Sequence, residues 1–235
     1  MGCSREQPII LWRKEVMFTA MNLSTMLEQL SVGMVRSIAI FLLTLVFSMP
    51  LGMLVTFARM SKNPIIRNIA RIYIAIMRGT PLMLQLFVVY FGPYYFWGAD
   101  IGGYRFAAVI IGFSLNYAAY FAEIYRGGIE SIPQGQYEAA AVLGYTKTQT
   151  FLRIVLPQVW KNILPAVTNE VITLVKDTSL AFAIAYQEVF TVAKQIVAAQ
   201  SVLTPFLIAG IFYFIFNAVV AFIMERFERK MNYYR

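Results

Sequence analysis

The sequence contains no histidine and only one cysteine, Cys3. A disulfide framework needs a second cysteine, and Cys/His metal sites and histidine general bases need residue types that are missing here. No apolar run precedes Cys3, so a processed lipoprotein signal is not expected. Charge is also scarce, since only 14% of the residues are charged. These absences predict a protein that is not an enzyme and that binds no metal or cofactor of its own.

Apolar residues, by contrast, make up 59% of the 235-residue chain. A soluble domain of this size has too little interior to bury so much apolar surface, so most of it must face lipid or neighbouring spans. The sequence therefore predicts an all-α integral membrane protein. The net charge of +8 does not indicate nucleic-acid binding, because the basic residues flank hydrophobic runs, where they meet lipid headgroups and set the topology.

Five apolar segments are long enough to cross the bilayer hydrocarbon, which is about 30 Å thick and takes roughly 20 helical residues. They cover residues 37–58, 68–92, 104–125, 163–187 and 203–224. The first and second segments contain possible helix breaks, PLG at residues 50–52 and RGTP at residues 78–81. A broken helix within a membrane often lines a cavity or permits a hinge, although a simple kink is an equal alternative.

These segments divide the chain into three parts. Residues 1–33 are predicted to form an exposed N-terminal arm, in part an interfacial helix, with Met17 or Met21 as a possible natural start. Residues 34–230 form the five-span domain, in which the polar loop 127–161 joins the third and fourth spans. Residues 231–235 form a short cytoplasmic tail.

Lysine and arginine are unevenly distributed between the two sides of the spans. If the loop after the first span is cytoplasmic, thirteen of the 20 basic residues lie inside and six lie outside. Because basic residues concentrate in cytoplasmic segments, we predict an extracytoplasmic N-terminus and a cytoplasmic C-terminus. The loop 127–161 is then cytoplasmic, and the aromatic loop 92–104 faces outward as part of an interfacial belt.

The loop 127–161 has the local signals of a helical hairpin. Residues 136–143 are mostly helix formers, and Gly144 follows where a left-handed residue ends a helix. Thr146 and Gln149 have the spacing of a capping box, and Pro157 is the expected end of the second helix. These signals fit a surface hairpin without a partner as well as they fit a docking loop.

The residues around this hairpin give a more specific indication. The pattern E-A-A-x3-G-x9-I-x-L-P resembles the cytoplasmic loop of the membrane subunits of ATP-binding-cassette (ABC) importers. Its residues here are Glu138, Ala139, Ala140, Gly144, Ile154, Leu156 and Pro157. The alanines provide a face without bulk that lets another surface approach, and Glu138 offers that surface a charge.

Further stretches extend the resemblance over residues 33–230. They are RGTP at 78–81 leading to Gln85, NYAAYFAEIYRGGI at 116–129, NE at 169–170 and KDTSL at 176–180. Together they resemble the five-span permease subunits of polar amino-acid ABC importers. The resemblance implies the type I importer permease fold, the prokaryotic plasma membrane, and alternating access for a polar amino acid. It also implies a second permease, identical or related, two cytoplasmic ATPase subunits and an extracytoplasmic substrate-binding protein.

Nucleotide chemistry is expected on a partner. The chain has no phosphate-binding loop of the type G-x4-G-K-[ST], so ATP and Mg²⁺ must bind the ATPase subunits.

Polar and charged residues within the spans are candidates for a substrate pathway, because a charge at the centre of a membrane helix costs about 2.5–3.5 kcal/mol. The candidates are Arg78, Thr80, Gln85, Asn116, Glu123, Glu170, Lys176, Asp177, Thr178 and Ser179. Glu170 and Asp177 are two helical turns apart, so they share an acidic face that needs a cation. Lys176 diverges from Asp177 by about 100° around the helix, so each of the two needs its own partner.

A zwitterionic substrate would use these residues at its two ends. Glu123 or Asp177 would bind the ammonium group, and Lys176 or Arg78 would bind the carboxylate. Alternatively, the same residues pair with one another and lock the spans or the dimer. Thr178 and Ser179 can bind a substrate or their own helix carbonyls.

Three other functions remain as alternatives. A secondary transporter or channel would need no ATPase, but the chain lacks an obvious internal repeat and carries the cytoplasmic hairpin. A membrane-embedded enzyme would need catalytic groups that are missing. An ABC permease for a different small solute fits the sequence as well as an amino-acid permease does, apart from the mixed charges within the spans.

Overall fold

The structure is a computed structural model that describes residues 22–231. The predicted start at Met17 or Met21, the arm up to residue 21 and the tail from residue 232 lie outside the described residues. Between residues 22 and 231 the chain is helical and has no β-strand.

Nine α-helices follow one another in the described range. They are α1 Leu23–Arg59, α2 Pro64–Gly79, α3 Leu82–Trp97, α4 Arg105–Glu130, α5 Gln134–Val142, α6 Lys147–Thr150, α7 Leu156–Asp177, α8 Val189–Gln200 and α9 Thr204–Met231. A π-helical segment, Phe151–Val155, joins α6 to α7, and a 3₁₀ helix, Thr178–Ile184, continues α7. The core of the fold is the packing of α4 against α1, α3 and α7.

Three of these helices, α1, α4 and α9, are each long and apolar enough to cross a membrane. Two further pairs qualify when the members of each bent pair are taken together, α2 with α3, and the segment Lys147–Ile184 with α8. The five predicted spans are therefore confirmed in number when each bent pair counts as one span. Their boundaries differ from the prediction, and each difference has a local cause.

Helix α1 begins at Leu23, fourteen residues before the predicted first span. In the described part of the predicted arm most residues are exposed, but Met26 and Leu30 are buried against Val189 and Ala193 of α8 and Ala209 of α9. Residues 23–33 therefore continue α1 as a helix that packs one apolar face against helices distant in sequence.

A fully buried carboxylate holds α8 in this cluster. Glu188 caps α8 by accepting hydrogen bonds from the backbone N–H groups of Phe190 (2.7 Å) and Thr191 (2.6 Å). The same carboxylate also accepts from the hydroxyl of Thr191, at 2.7 Å, and from that of Tyr213 on α9, at 3.0 Å. Capping removes the cost of burying the helix N-terminus without partners.

Gly33 lets α1 approach α8 closely. A Cβ atom at this position would lie 2.8 Å from the Cα atom of Val189, which belongs to the backbone and cannot rotate away. We expect Gly33→Ala to lower the melting temperature in detergent by about 5 °C, because overpacking costs about 1–3 kcal/mol. Gly210→Ala is the matched control, since a Cβ there meets nothing within 4 Å. Equal melting temperatures for the two variants would refute the close-packing role.

The PLG segment at residues 50–52 does not break α1. The helix continues through Pro50 to Arg59. Gly52 serves packing instead: a Cβ there would lie 2.8 Å from the Cβ atom of Phe121 on α4. One turn further along, the hydroxyl of Thr56 donates to the carbonyl oxygen of Ala122 at 3.1 Å. Of the two alternatives left open for this segment, a break of the helix is therefore not present.

The RGTP segment at residues 78–81 does break the second span. Helix α2 ends at Gly79, α3 begins at Leu82, and the two helices are bent by 111°. Thr80 is extended, with φ −123° and ψ 146°, which is the conformation that a following proline imposes. The predicted single span at 68–92 is thus two half-length helices.

The fourth span also differs from its prediction. Helix α7 starts at Leu156, seven residues early, and Asp177 is its last residue rather than its midpoint. The 3₁₀ segment then ends at Ala185, which has a left-handed φ of 54°, and α8 leaves at an angle of 54°. Helix α9 continues beyond the predicted residue 224 to Met231.

Candidate functional site

The turn of the hairpin at residues 134–150 has the geometry that its sequence predicts. Gly144 adopts a left-handed φ of 78° after α5. Its N–H donates to the carbonyl oxygen of Ala141, and the next N–H, of Tyr145, donates to that of Ala140, both at 3.0 Å. Thr146 and Gln149 form the reciprocal capping box at 2.9 and 3.3 Å. A rigid turn with no long loop therefore connects α5 to α6.

The exposed surface of this hairpin is more apolar than expected. Glu138 and Ala139 are exposed, whereas Ala140 is 1% exposed and packs inward. At the end of α5, Val142 and Leu143 are 88% and 73% exposed. Sequence reasoning missed these two side chains, although two apolar residues immediately before a helix-ending glycine were a readable signal. Exposed apolar residues beside a charge are typical of a protein-binding surface.

Pro157 does not end the second helix of the hairpin, and that prediction was wrong. The chain runs from α6 through the π-helical segment into α7, with Pro157 in the first turn of α7. A proline is tolerated there because the wider π turn has already interrupted the regular i→i−4 bonding. Ile154 and Leu156 are half-buried on this continuous rod. The hairpin is consequently connected to the membrane end of α7 without an intervening loop.

A cavity of about 320 Å³ lies between α3, α4 and α7. Its lining residues are Thr80, Pro81, Leu82, Asn116, Tyr117, Tyr120, Glu170, Thr173, Asp177 and Leu180. Four of the ten predicted pathway residues thus meet in one place, namely Thr80, Asn116, Glu170 and Asp177. Sequence reasoning missed Tyr117, Tyr120 and Thr173. Thr173 lies between the two acidic residues on one helical face, so the same face argument would have found it.

Among the described residues, neither carboxylate of the cavity forms an ion pair with a basic side chain. The oxygen Oδ2 of Asp177 accepts a hydrogen bond of 2.7 Å from the hydroxyl of Tyr117. Among residues 22–231, no lysine or arginine nitrogen lies within 4.0 Å of Asp177 or Glu170. The acidic face predicted for these two residues is therefore present, and a cation that the described chain does not supply would complete it.

Three of the predicted residues, two of which line the cavity, hold the helix break together. The side-chain amide of Asn116 donates to the carbonyl oxygen of Met77 at 2.9 Å and to Oε1 of Gln85 at 3.0 Å. The amide of Gln85 in turn donates to the hydroxyl of Thr80 at 2.8 Å. These bonds satisfy carbonyl groups that the end of α2 leaves open, so the network fixes the shape of one cavity wall.

Glu123 lies outside the cavity in an ion-pair network. Its nearest cation is Arg126, at 2.7 Å, and Arg78 follows at 4.0 Å. Arg126 also contacts Glu130 at 2.5 Å. The guanidinium of Arg78 stands 5.3 Å from the ring centre of Tyr120, which lines the cavity. Glu123 is therefore paired with arginine side chains of the protein. This pairing is the alternative to substrate contact that the sequence left open.

The other candidates close to Asp177, namely Lys176, Thr178 and Ser179, are not among the residues that line the cavity. Lys176 is exposed on the protein surface, as expected from its divergence from Asp177. The hydroxyl of Thr178 donates to the carbonyl oxygen of Val175, and that of Ser179 to Lys176, both at 2.8 Å. These two hydroxyl groups follow the alternative of bonding to their own helix.

Helix α7 also carries a polar stripe on its exposed side. The stripe consists of Asn162, Asn169, Thr173 and Lys176, at spacings of seven, four and three residues. Thr173 belongs to both the stripe and the cavity lining. Since polar groups are costly against lipid, this face needs a protein or an aqueous neighbour.

The match to a family agrees with this architecture. Residues 48–233 match the family described as "Binding-protein-dependent transport system inner membrane component". The chain therefore belongs to this family and is a multi-pass, membrane-spanning permease of an ABC importer.

Several curated relatives match most of the chain. The L-cystine transport system permease protein TcyB of Bacillus subtilis (strain 168) is 35% identical over 207 residues, 87% of either chain. The arginine transport system permease protein ArtQ of the same organism is 37% identical over 201 residues, 85% of this chain and 91% of the relative. The nopaline transport system permease protein NocM of Agrobacterium fabrum is 38% identical over 199 residues, 81% of either chain.

Solved structures support the same fold. The crystal structure of an amino acid ABC transporter with histidines aligns with a TM-score of 0.80 at 29% identity, and covers 89% of this chain and 99% of that chain. The inward-facing MetNI methionine ABC transporter aligns with a TM-score of 0.73 at 20% identity, which concerns the fold alone. The predicted type I permease fold is thus confirmed.

Proposed function

We propose that this permease carries a polar amino acid inward through the cavity between α3, α4 and α7. The observation that carries the proposal is the pair of cavity carboxylates, Glu170 and Asp177, which have no basic partner among the described residues. An α-ammonium group supplies the missing positive charge. The cystine, arginine and nopaline permeases among the relatives support a cargo of this class.

Another part of the cavity wall suits the α-carboxylate of the cargo. The first turn of α3, at Pro81 and Leu82, lines the cavity, and a helix N-terminus favours an anionic group. Arg78 stands beside this turn, over the ring of Tyr120. Because the described residues of the lining include two acidic side chains and no basic one, a zwitterionic or cationic amino acid fits better than an anionic one.

The polar stripe on α7 supports a second permease, identical or related, packed against this chain. Asn169, Thr173 and Lys176 would then lie along an interface or an aqueous path instead of facing lipid. Because Thr173 also lines the cavity, the substrate path would open towards the second permease.

The distribution of basic residues supports a cytoplasmic hairpin, an extracytoplasmic N-terminus and a cytoplasmic C-terminus, with the protein in a prokaryotic plasma membrane. Two ATPase subunits, which bind ATP and Mg²⁺, would dock on the exposed hairpin residues Glu138, Ala139, Val142 and Leu143. Closure of the ATPases would move α6, the π-helical segment and α7 as one rod. Since α7 ends at Asp177, this motion would reach the cavity directly. An extracytoplasmic binding protein would deliver the substrate from the other side.

The test of the proposed function is ATP hydrolysis in reconstituted vesicles. The chain is co-purified with its ATPase and assayed with a binding protein loaded from a panel of anionic, zwitterionic and cationic amino acids. We expect stimulation by one loaded class, together with uptake of the same class. If no ATPase co-purifies and the protein alone moves solute, a secondary transporter is the better explanation.

A further inference from the structure

A second cleft, of about 740 Å³, lies at the base of the hairpin, away from the amino-acid cavity. It is formed where the hairpin meets the start of α7 and the end of α9. Its walls are apolar, from Ile154, Pro157 and Met231, and its polar rim includes the basic residues Arg153, Lys161 and Lys230. The volume lies in the range of about 300–1,000 Å³ that is typical of small-molecule sites.

The charged residues that line this cleft in the described part of the chain are all basic. Three of them, from three different elements, converge here, and none of the described lining residues is acidic. Neither Arg153 nor Lys230 forms an ion pair in the part of the chain that the structure describes. Nearby Arg229, by contrast, is paired with Glu225 at 2.6 Å. Like charges in a concave, apolar-walled cleft focus a positive potential, which attracts an anion.

The position of the cleft indicates the source of that anion. Lys161 stands at the start of the apolar part of α7, and Lys230 follows the apolar run of α9. The cleft therefore lies at a membrane boundary, and in the proposed orientation this boundary is cytoplasmic. Basic pockets between helices on that side bind anionic lipid headgroups, and the leaflet carries the negative lipids.

We propose that this cleft binds the phosphate headgroup of an anionic phospholipid from the cytoplasmic leaflet, a proposal that rests on the proposed orientation. Arg153 and Lys230 contact the phosphate, and Ile154 and Met231 contact the glycerol and the upper part of the acyl chains. The bound lipid joins the base of the hairpin to the end of α9. The lipid thereby stabilises the rod of α6, the π-helical segment and α7 at the point where this rod enters the membrane.

The test compares lipid retention by the whole transporter complex. The complex is extracted from nanodiscs of phosphatidylcholine that contain phosphatidylglycerol, and the retained phosphatidylglycerol is counted by native mass spectrometry. For the double variant Arg153→Gln/Lys230→Gln we expect about 30-fold weaker retention, since each basic residue near an anionic leaflet contributes roughly a fivefold factor. The control is Arg229→Gln. Arg229 lies on the same helix as Lys230 but is paired with Glu225, so this variant should retain the lipid as the wild type does. Matching melting temperatures check that the variants are folded.

Two further measurements distinguish the lipid from other occupants of the cleft. Millimolar inorganic phosphate should not displace phosphatidylglycerol; if it does, the cleft is a site for a soluble anion. Unchanged lipid retention in the double variant overturns the proposal, and loss of the ATPase from that variant would indicate an acidic segment of the partner as the occupant. Lipid counting needs neither cargo nor uptake. A complex that retains the lipid but transports no amino acid would therefore contradict only the proposed function.

Discussion

Replacing Gly144 with valine is expected to reduce amino-acid uptake at least tenfold while the protein still inserts into the membrane. Gly144 has a φ of 78°, and a β-branched residue in the left-handed region costs about 1–3 kcal/mol. Nothing lies within 4 Å of a Cβ at this position, so the strain comes from the backbone alone. The chain relieves it by reshaping the turn between α5 and α6, which displaces the docking surface from the rod that leads to α7.

The measurement is uptake and binding-protein-stimulated ATP hydrolysis in vesicles, normalised to the amount of inserted permease. Gly135→Val is the matched control, because Gly135 lies in the same hairpin, also has open space around its Cβ, and lies within helix α5. Gly144→Asn should keep most of the activity, since asparagine tolerates the left-handed region. Equal uptake by Gly144→Val and Gly135→Val would show that the geometry of the turn does not couple the permease to the ATPase.

The second large effect is expected at the cavity carboxylates. Asp177→Asn and Glu170→Gln keep the shape of each side chain and remove its charge. A hydrogen bond to a charged group contributes about 1.5–3 kcal/mol, so each variant should lose about 10- to 100-fold in transport efficiency. Asp177→Asn can still accept from Tyr117, so a structural effect of this variant should be small.

Transport by these variants is measured as uptake against cargo concentration, with the loaded binding protein in excess. Glu225→Gln is the control. Glu225 is exposed on α9, and within residues 22–231 its only ion pair is the one with Arg229. Tyr117→Phe removes the 2.7 Å hydrogen bond but leaves the carboxylate charge, and is expected to lose less than Asp177→Asn. Wild-type uptake in both carboxylate variants would exclude the cavity as the ammonium site.

The features that were readable from the sequence are local ones. Gly144 and the capping box of Thr146 depend on neighbours within a few residues, and both have the predicted geometry. The divergence of Lys176 from Asp177 follows from helix periodicity alone, and one is exposed while the other lines the cavity. The break after Arg78 was marked by a proline that constrains the residue before it.

The features that were misread depend on distant residues. Pro157 has the appearance of a helix end, but the π-helical segment before it lets the rod continue. Residues 23–33 have the composition of an arm, and nothing in their own sequence shows that α8 and α9, more than 150 residues further along, cover Met26 and Leu30. Asn116 lines the cavity as one of the predicted pathway residues, but its hydrogen bond to Gln85 across the helix break was not foreseen.

From the sequence alone, this protein is readable as a helical membrane protein with up to five spans, a polar hairpin between the third and fourth of them and no G-x4-G-K-[ST] loop, because apolar length and turn chemistry are local properties of the chain. Which polar residues form the cavity, and which pair with each other, depends on how the helices pack. Glu123 and Asp177 are equally acidic in the sequence, and the side chains that surround them distinguish them: Arg126 and Arg78 for Glu123, Tyr117 for Asp177. Such contacts arise when helices pack, and no local pattern encodes them.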